Sequence, residues 1–214
     1  MCNLKCFASG EYAVLWFQRS EDGNKNETVG WKLCAICQYY TPPRSHHCKL
    51  CKACILRQDH HCYFTAGCIG HFTTPYFIFM SFWMLIGQLF VVYWMIRYSL
   101  VEFSNAWMYF PPTAFWASLT KSQPWFNSFL VLLSVFVLIN IFTSTFYLVM
   151  GVIAASSNMT FYEGSRGIKT YKKSNVLANV RAALGSYYWI RWLIPIGVAP
   201  EGDGYEWTIS KHSL

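Results

Sequence analysis

Residues 34–68 read CAICQYYTPPRSHHCKLCKACILRQDHHCYFTAGC, and the rest of the chain is best understood from this stretch. It holds seven of the nine cysteines and four of the six histidines in thirty-five residues. Cys34/Cys37, Cys48/Cys51 and Cys51/Cys54 are tight pairs with histidines close by, the spacing at which the thiolates of one knuckle reach a single tetrahedral zinc ion. Two four-ligand sites would use six of these cysteines and two histidines. One cysteine is then left over, beside the histidine and aspartate of the run Asp59-His60-His61-Cys62. A spare thiol in that company has the surroundings of a nucleophile.

The flanking composition limits what such a site can serve. With 54% hydrophobic and only 13% charged residues, the 214-residue chain is too poorly charged for an ordinary soluble protein. The run Tyr76–Ile96 carries no charge and has the length a bilayer requires; Trp125–Ala155 exceeds it and must tilt or emerge into water. Of the seventeen Lys and Arg residues, only Arg97 and Lys121 fall between the start of the first run and the end of the second. This is the positive-inside pattern of two spans with both termini in the cytosol. A cytosolic cysteine cluster stays reduced, which favours zinc over disulfides. The net charge of +7 superficially suggests nucleic acid. Two spans and the lack of a recognition-helix pattern exclude that partner.

The whole pattern, C-x2-C-x9-H-C-x2-C-x2-C-x4-D-H-H-C-x5-C, resembles the DHHC family of protein S-acyltransferases (palmitoyltransferases), with each spacing met from Cys34 to Cys68. The resemblance implies a mainly α membrane protein: a small cytosolic two-zinc cysteine-rich domain, then two transmembrane helices and a cytosolic tail. It assigns the zinc ligands in interleaved fashion, Cys34, Cys37, His47 and Cys54 to one site and Cys48, Cys51, His61 and Cys68 to the other. Each set is Cys3His, a closed structural type with no open position for water. It also makes Cys62 the nucleophile, with His60 and Asp59 in support. Residues i and i+2 of an extended segment share a face, so His60 can reach Cys62 while His61 points to zinc. Asp59 would fix the tautomer of His60 and stabilise its imidazolium.

The implied reaction takes a long-chain acyl group from fatty acyl-CoA onto Cys62 and then onto a cysteine of a substrate protein. Lys49, Lys52 and Arg57 either meet the CoA phosphates or offset the negative charge of the two Cys3His sites. The acyl chain would rest in the bilayer among Phe82, Trp83, Ile86, Phe90, Phe142, Phe146 and Val149. Gln88, Asn140, Thr143, Ser144 and Thr145 lie mid-membrane, where polar groups face a partner helix or a cavity. Golgi or endoplasmic reticulum is the expected membrane, the plasma membrane being a further option.

The expected organisation is a cytosolic N-terminal segment (1–33), the cysteine-rich domain (34–71), a span (75–97), a lumenal or extracellular loop broken by Pro111 and Pro112 (98–124), a second span (125–156) and a cytosolic tail (157–214). Residues 1–7 have no apolar core of a signal peptide. Tyr12–Phe17 reads as a strand or interfacial contact, and Cys2 and Cys6 as ordinary thiols. His46, next to a ligand, reads as a surface residue or one packed behind that ligand, and His71 as an interface residue. In the tail, Asn179 reads as a buried backbone clamp, and the aromatic run 187–196 as a segment lying in the membrane interface.

Departures from the family pattern are specific. Phe161 in Thr160-Phe161-Tyr162-Glu163 replaces a threonine whose hydroxyl helps to position the aspartate in relatives. Tyr63 to Gly67 replaces a Pro-Trp and asparagine run, and Thr73 an asparagine. Asn175 stands for a glycine, which suggests left-handed backbone. Relatives also carry two spans ahead of the cysteine-rich domain, and this chain has none. The alternative to a working transferase is therefore a catalytically impaired, zinc-stabilised membrane scaffold or truncated family member.

Overall fold

The computed structural model describes residues 30–103, 105–168, 171, 175–193 and 200–207. The run Tyr12–Phe17 and the thiols of Cys2 and Cys6 lie outside the described residues. The chain divides into two compact units, Met1–Phe79 with Gly151–Leu214, and Met80–Met150.

The first unit is built on three two-stranded antiparallel hairpins, pairing β1 (Lys32–Cys34) with β2 (Tyr39–Thr41), β3 (His46–Cys48) with β4 (Ala53–Ile55), and β5 (His60–Cys62) with β6 (Gly67–Ile69). They share one register at an interval of fourteen residues: Cys34 faces Tyr39, Cys48 faces Ala53 and Cys62 faces Gly67. Their turns repeat as well. Gln38, Lys52 and Ala66, again fourteen apart, adopt φ of 59°, 54° and 52°. None is glycine, so each costs about 1 kcal/mol of left-handed strain. Three-residue strands in isolated hairpins cannot offset that by pairing alone. The stabilisation has to come from groups held between hairpins.

The tail residues fold onto this domain. After α3 (Trp125–Ser157) the chain turns at Asn158, in left-handed backbone, and enters the short α4 (Phe161–Ser165). Thr160 and Glu163 form a reciprocal capping box there. Next comes α5 (Val176–Leu184), whose Asn179 is fully buried and donates from Nδ2 to the Ser156 carbonyl at 2.9 Å, the backbone clamp expected of it. Asn175 departs from expectation. Its φ is −98°, and its side chain caps α5 by accepting from the Leu177 amide, which a glycine could not do. The short α6 (Tyr188–Arg191) and its flanks expose Tyr187, Trp189 and Leu193, while Trp192 packs edge-on against Phe79.

His71 is not an interface residue. It is 1% exposed and donates from Nε2 to the Gly202 carbonyl at 3.1 Å, and burial holds its pKa down at about 4. A Cβ on Gly204 would lie 2.8 Å from its ring, and Gly204 itself sits at φ +82°, so this contact demands glycine twice over. Within the same unit, α1 (Thr74–Glu102) and α3 meet where Gly151 leaves room for Ile78; a Cβ there would come within 2.7 Å of the Ile78 side chain.

The second unit holds α1 from Met80 to its end, a 3-10 turn at Ala106–Tyr109, α2 (Pro111–Leu119), and α3 from its start to Met150. Pro111 and Pro112 do not break this loop; they start α2, occupying first-turn positions whose N–H groups have no helical partner. The 29 and 33 residues of α1 and α3 are long and apolar enough to cross a membrane. At 1.5 Å per residue they run to about 44 and 50 Å, beyond the hydrocarbon thickness. Apolar side chains cover them on all sides. Trp83, Ile86, Phe90, Phe142, Phe146 and Val149, expected to line an acyl cavity, are exposed on the helix surfaces, and Phe82 is half-buried. Asn140 and Thr143 donate to the carbonyls of Phe136 and Ile139 one turn back, so these two polar groups need no partner helix. Tyr98 ties the two long helices through Asn127 Oδ1 at 2.9 Å.

Candidate active site and metal centres

The common register of the hairpins brings the ligand residues together. Cys34, Cys37, His47 and Cys54 converge in one group and Cys48, Cys51, His61 and Cys68 in a second, with all donor atoms of a group within 4.8 Å of one another. In the first, Cys37 Sγ lies 3.2 Å from His47 Nδ1 and 3.8 Å from Cys54 Sγ. In the second, His61 Nδ1 is 3.3 Å from Cys51 Sγ and 3.6 Å from both Cys48 and Cys68. Zinc bonds of 2.1–2.3 Å in a tetrahedron give edges of about 3.4–3.8 Å, so both groups have the dimensions and donors of a Cys3His site. Each group takes ligands from two neighbouring hairpins, so a metal ion held there would be the fastener those short strands lack. Burial, with hydrogen bonds from the Cys54 thiol to the Cys34 and Cys37 sulfurs, pushes the Cys54 thiol up; burial with Cys48 and Cys51 does the same to Cys68. A divalent cation displaces the protons such crowded thiols retain.

Cys62 stands outside both groups. It is buried, on β5, with His60 two residues back. His60 Nδ1 donates to Asp59 Oδ2 at 2.8 Å. Burial lowers the His60 pKa, but the hydrogen bond and charge of Asp59, with the Cys62 sulfur on the other side, carry it above the ordinary imidazole value. Burial likewise raises the Cys62 thiol, and hydrogen bonds from the Thr65 amide and hydroxyl, the Phe64 amide and His60 outweigh it, leaving the thiol below its usual range. Asp59, His60 and Cys62 are therefore brought into one chain of contacts, as the extended geometry required. Phe77 closes one side of His60 with an edge-on ring at 5.4 Å.

Behind Asp59 lies a network that the spacing of cysteines and histidines gave no reason to expect. The main-chain N–H of Phe161 donates to Asp59 Oδ1. The hydroxyl lost with the second threonine is thus not needed for a contact from this position. Two residues on, Glu163 receives a bidentate grip from the buried Arg44, Nε to Oε1 at 2.7 Å and Nη2 to Oε2 at 2.8 Å. Arg44 also donates to the Asn158 carbonyl and lies over the rings of Trp207 and Tyr171, 4.3 and 4.6 Å from their centroids. Arg44 stands among the ligands, but Asn158 and Trp207 lie about 90 and 140 residues past Cys68, and none of the three carried a motif.

Three cations were expected near the CoA phosphates or as counter-charges. Arg57 cannot serve an incoming phosphate: it is 2% exposed and turned into the protein, where Nη2 donates to Asn158 Oδ1 at 3.1 Å and the guanidinium lies 5.8 Å from the Trp207 ring centroid. Lys49 and Lys52 are exposed. Lys49 stands on an open groove of about 520 Å³ that also touches His46, Leu50, Gln58, Asp59 and Tyr162. His46 is neither ligand nor catalyst here. It stacks on Tyr162 at 3.8 Å, and burial, then Lys32 and Arg166, keep it below the ordinary imidazole range against the pull of Glu163. Thr73 caps the turn after β6 by accepting from the Gly70 amide and donating to the Cys68 carbonyl.

Comparison with known proteins bears on the same region. Probable protein S-acyltransferase 16 of Arabidopsis thaliana is 45% identical over 51 residues, 24% of this chain and 17% of that protein. Probable protein S-acyltransferase 13 of the same plant is 37% identical over 76 residues, 36% of this chain and 25% of the relative. Palmitoyltransferase ZDHHC16 of Mus musculus is 36% identical over 69 residues, 32% of this chain and 19% of the relative. The matched part of the chain thus spans a quarter or less of the length of these relatives. The model of the DHHC palmitoyltransferase family matches residues 27–168, two thirds of the chain, taking in both metal groups, the Asp59–Cys62 run, both long helices and α4. The chain belongs to the DHHC palmitoyltransferase family.

Proposed function

We propose that the chain is a protein S-acyltransferase that moves a long-chain acyl group from acyl-CoA to cysteines of substrate proteins through an acyl-Cys62 intermediate. The observation that carries this reading is the contact chain Asp59–His60–Cys62, with the sulfur held free of both metal groups. The Cys62 thiolate attacks the thioester carbonyl of acyl-CoA. As the tetrahedral intermediate collapses, the CoA sulfur leaves and takes the proton from the His60 imidazolium. The acyl group is then on Cys62, and His60 is neutral. His60 next accepts the proton of a substrate cysteine, whose sulfur attacks the acyl-Cys62 carbonyl and releases the Cys62 thiolate. Asp59 holds the Nδ1–H throughout, so that Nε2 is the nitrogen that exchanges protons.

In this proposal Cys34, Cys37, His47 and Cys54 hold one zinc ion and Cys48, Cys51, His61 and Cys68 the other, and both metals act by fixing the hairpins. The groove beside Asp59 and the exposed Lys49 and Lys52 support a CoA phosphate position there. The acyl chain would enter the bilayer, each buried CH2 gaining about 0.8 kcal/mol. Both termini face the cytosol, and Golgi or endoplasmic reticulum is the proposed compartment.

The test is self-acylation in membranes with alkyne-tagged palmitoyl-CoA. A hydroxylamine-labile label is expected on the wild-type chain and none on Cys62→Ser, with zinc content equal in both. Label that persists in Cys62→Ser would sink the assignment. No label in either, with zinc retained, would leave a zinc-stabilised membrane scaffold.

A further inference from the structure

The hydrogen-bonding groups at the start of α4 are nearly all spoken for. Thr160 Oγ1 accepts the Glu163 amide at 3.1 Å, and Glu163 Oε2 accepts the Thr160 amide at 2.9 Å. Glu163 is locked in turn by the buried Arg44. The Phe161 N–H is one of the donors that a helix leaves without an internal partner, and its acceptor is Asp59 Oδ1, 102 residues away in sequence. The side chain of Phe161 is 54% exposed, so its ring is not what fixes this position. Asp59 is consequently held at both oxygens, Oδ1 by Phe161 and Oδ2 by His60.

We propose that the main-chain amide of Phe161 is a positioning group for the transferase, holding Asp59 so that His60 stays aimed at Cys62 whatever side chain residue 161 carries. This role presupposes that Asp59, His60 and Cys62 perform the chemistry proposed above. Without the amide, the carboxylate keeps, among the described residues, its bond to His60 alone and can swing with it. The imidazole then loses its fixed relation to the sulfur, while metal groups and helices are untouched.

Proline is the substitution that isolates this bond. Residue 161 is the first residue of α4, where proline's missing N–H and fixed φ are tolerated. Thr160, at φ −85° and ψ 162°, already has the extended backbone that a following proline requires. In the full chain, Phe161→Pro should lower the maximal rate of Cys62 self-acylation about 10- to 100-fold with KM for acyl-CoA nearly unchanged, the size expected when a reacting group is misplaced by about 1 Å. Phe161→Ala and Phe161→Thr keep the amide and should retain the wild-type rate.

A wild-type rate in Phe161→Pro would overturn the proposal, as would equal losses in Phe161→Pro and Phe161→Ala. If Phe161→Pro loses zinc, 15N-phenylalanine labelling decides instead. The Phe161 amide proton should resonate downfield in the wild type and move upfield in Asp59→Ala; an unmoved signal overturns the assignment. Absence of Cys62-dependent label in the wild-type chain itself would sink the acyltransferase reading together with this role. Label in the wild type and an unaffected Phe161→Pro would sink only the role of Phe161.

Discussion

Hairpins β3–β4 and β5–β6 begin with the same tripeptide, His-His-Cys, in the same register, and put it to different uses. The middle histidine is a ligand in both, His47 in one metal group and His61 in the other. The outer residues diverge. In the first of the two hairpins Ser45 precedes His46, which stacks on Tyr162; in the second Asp59 precedes His60 and accepts a hydrogen bond from its Nδ1–H. Cys48 has Cys51 three residues on and joins a metal group; Cys62 has Thr65 there and does not. Yet the turns still treat the three leading cysteines alike. The amides of Cys37 and Ile36 hydrogen-bond Cys34, those of Cys51 and Leu50 bond Cys48, and those of Thr65 and Phe64 bond Cys62, each working against burial to favour the thiolate. A knuckle that stabilises sulfur for a metal, deprived of its second cysteine, presents a stabilised sulfur with no metal to occupy it. In this fold, two positions separate a cysteine that joins a metal group from one that stands outside both.

The comparison breaks most completely if a true ligand is removed. Cys51→Ser should release metal and, because the groups share hairpins, unfold the whole cysteine-rich domain, since structural zinc contributes on the order of 10 kcal/mol. Metal content and circular dichroism of the purified chain check this; retention of one full zinc equivalent with native spectra would separate the groups. Next in size is the buried ion pair that anchors α4. Glu163→Gln leaves Arg44 without its counter-charge and should cost about 3–5 kcal/mol, read as a lowered Tm. A change in Tm within error would show the pair to be dispensable.

His60→Ala against His46→Ala sharpens the contrast between hairpins. The first should lower self-acylation about 10²- to 10⁴-fold, the range for a positioned acid–base group, and the second should leave the rate within severalfold. Similar losses would erase the distinction. The pH profile carries the same contrast in another form. The Cys62 thiol lies below its usual range and His60 above the ordinary imidazole value, so the rate should rise as pH climbs through the thiol's titration, with a midpoint below that of a free cysteine. It should fall again where His60 loses the proton it gives to the leaving sulfur. In His60→Ala the rising limb should move to higher pH, because one hydrogen bond to the thiolate is gone. The smallest effect is expected from Thr65→Val, which keeps the amide and deletes the hydroxyl; a loss of about 1 kcal/mol, or severalfold in rate at neutral pH, corresponds to one such hydrogen bond.

Ligand spacing made the metal groups and Cys62 legible, because a tetrahedral site constrains sequence separation as tightly as geometry. The long helices were legible because a bilayer demands an uninterrupted apolar run; α3 ends one residue past its expected limit, whereas the continuation of α1 to Glu102, five residues past its own, was not legible. The fourteen-residue interval of the hairpins stood in the sequence, in Cys34, Cys48 and Cys62, and in His47 and His61, but ligand counting groups residues by site and so conceals a repeat that runs across sites. Arg57 was misread for a related reason. Positive charge among ligands suggests an anion, whereas Asn158 and Trp207, about 100 and 150 residues further on, turn it inward. The replacement of threonine by Phe161 looked like a lesion because side chains are what a sequence displays. The donor that reaches Asp59 belongs to the backbone, which every residue but proline supplies.

That same bond sets an order of events during synthesis. Asp59 leaves the ribosome roughly a hundred residues before Phe161, Asn158 and Glu163, and α3 must be made between them. At about 5–20 residues per second, Cys62 and His60 exist for some 5–20 s without the Phe161 amide that holds Asp59. The nascent chain therefore carries Cys62 without that support while α1 and α3 are being made. On the role proposed for Phe161, the full rate is reached only when the segment following α3 folds back, so that reaching it also reports that both long helices have been made.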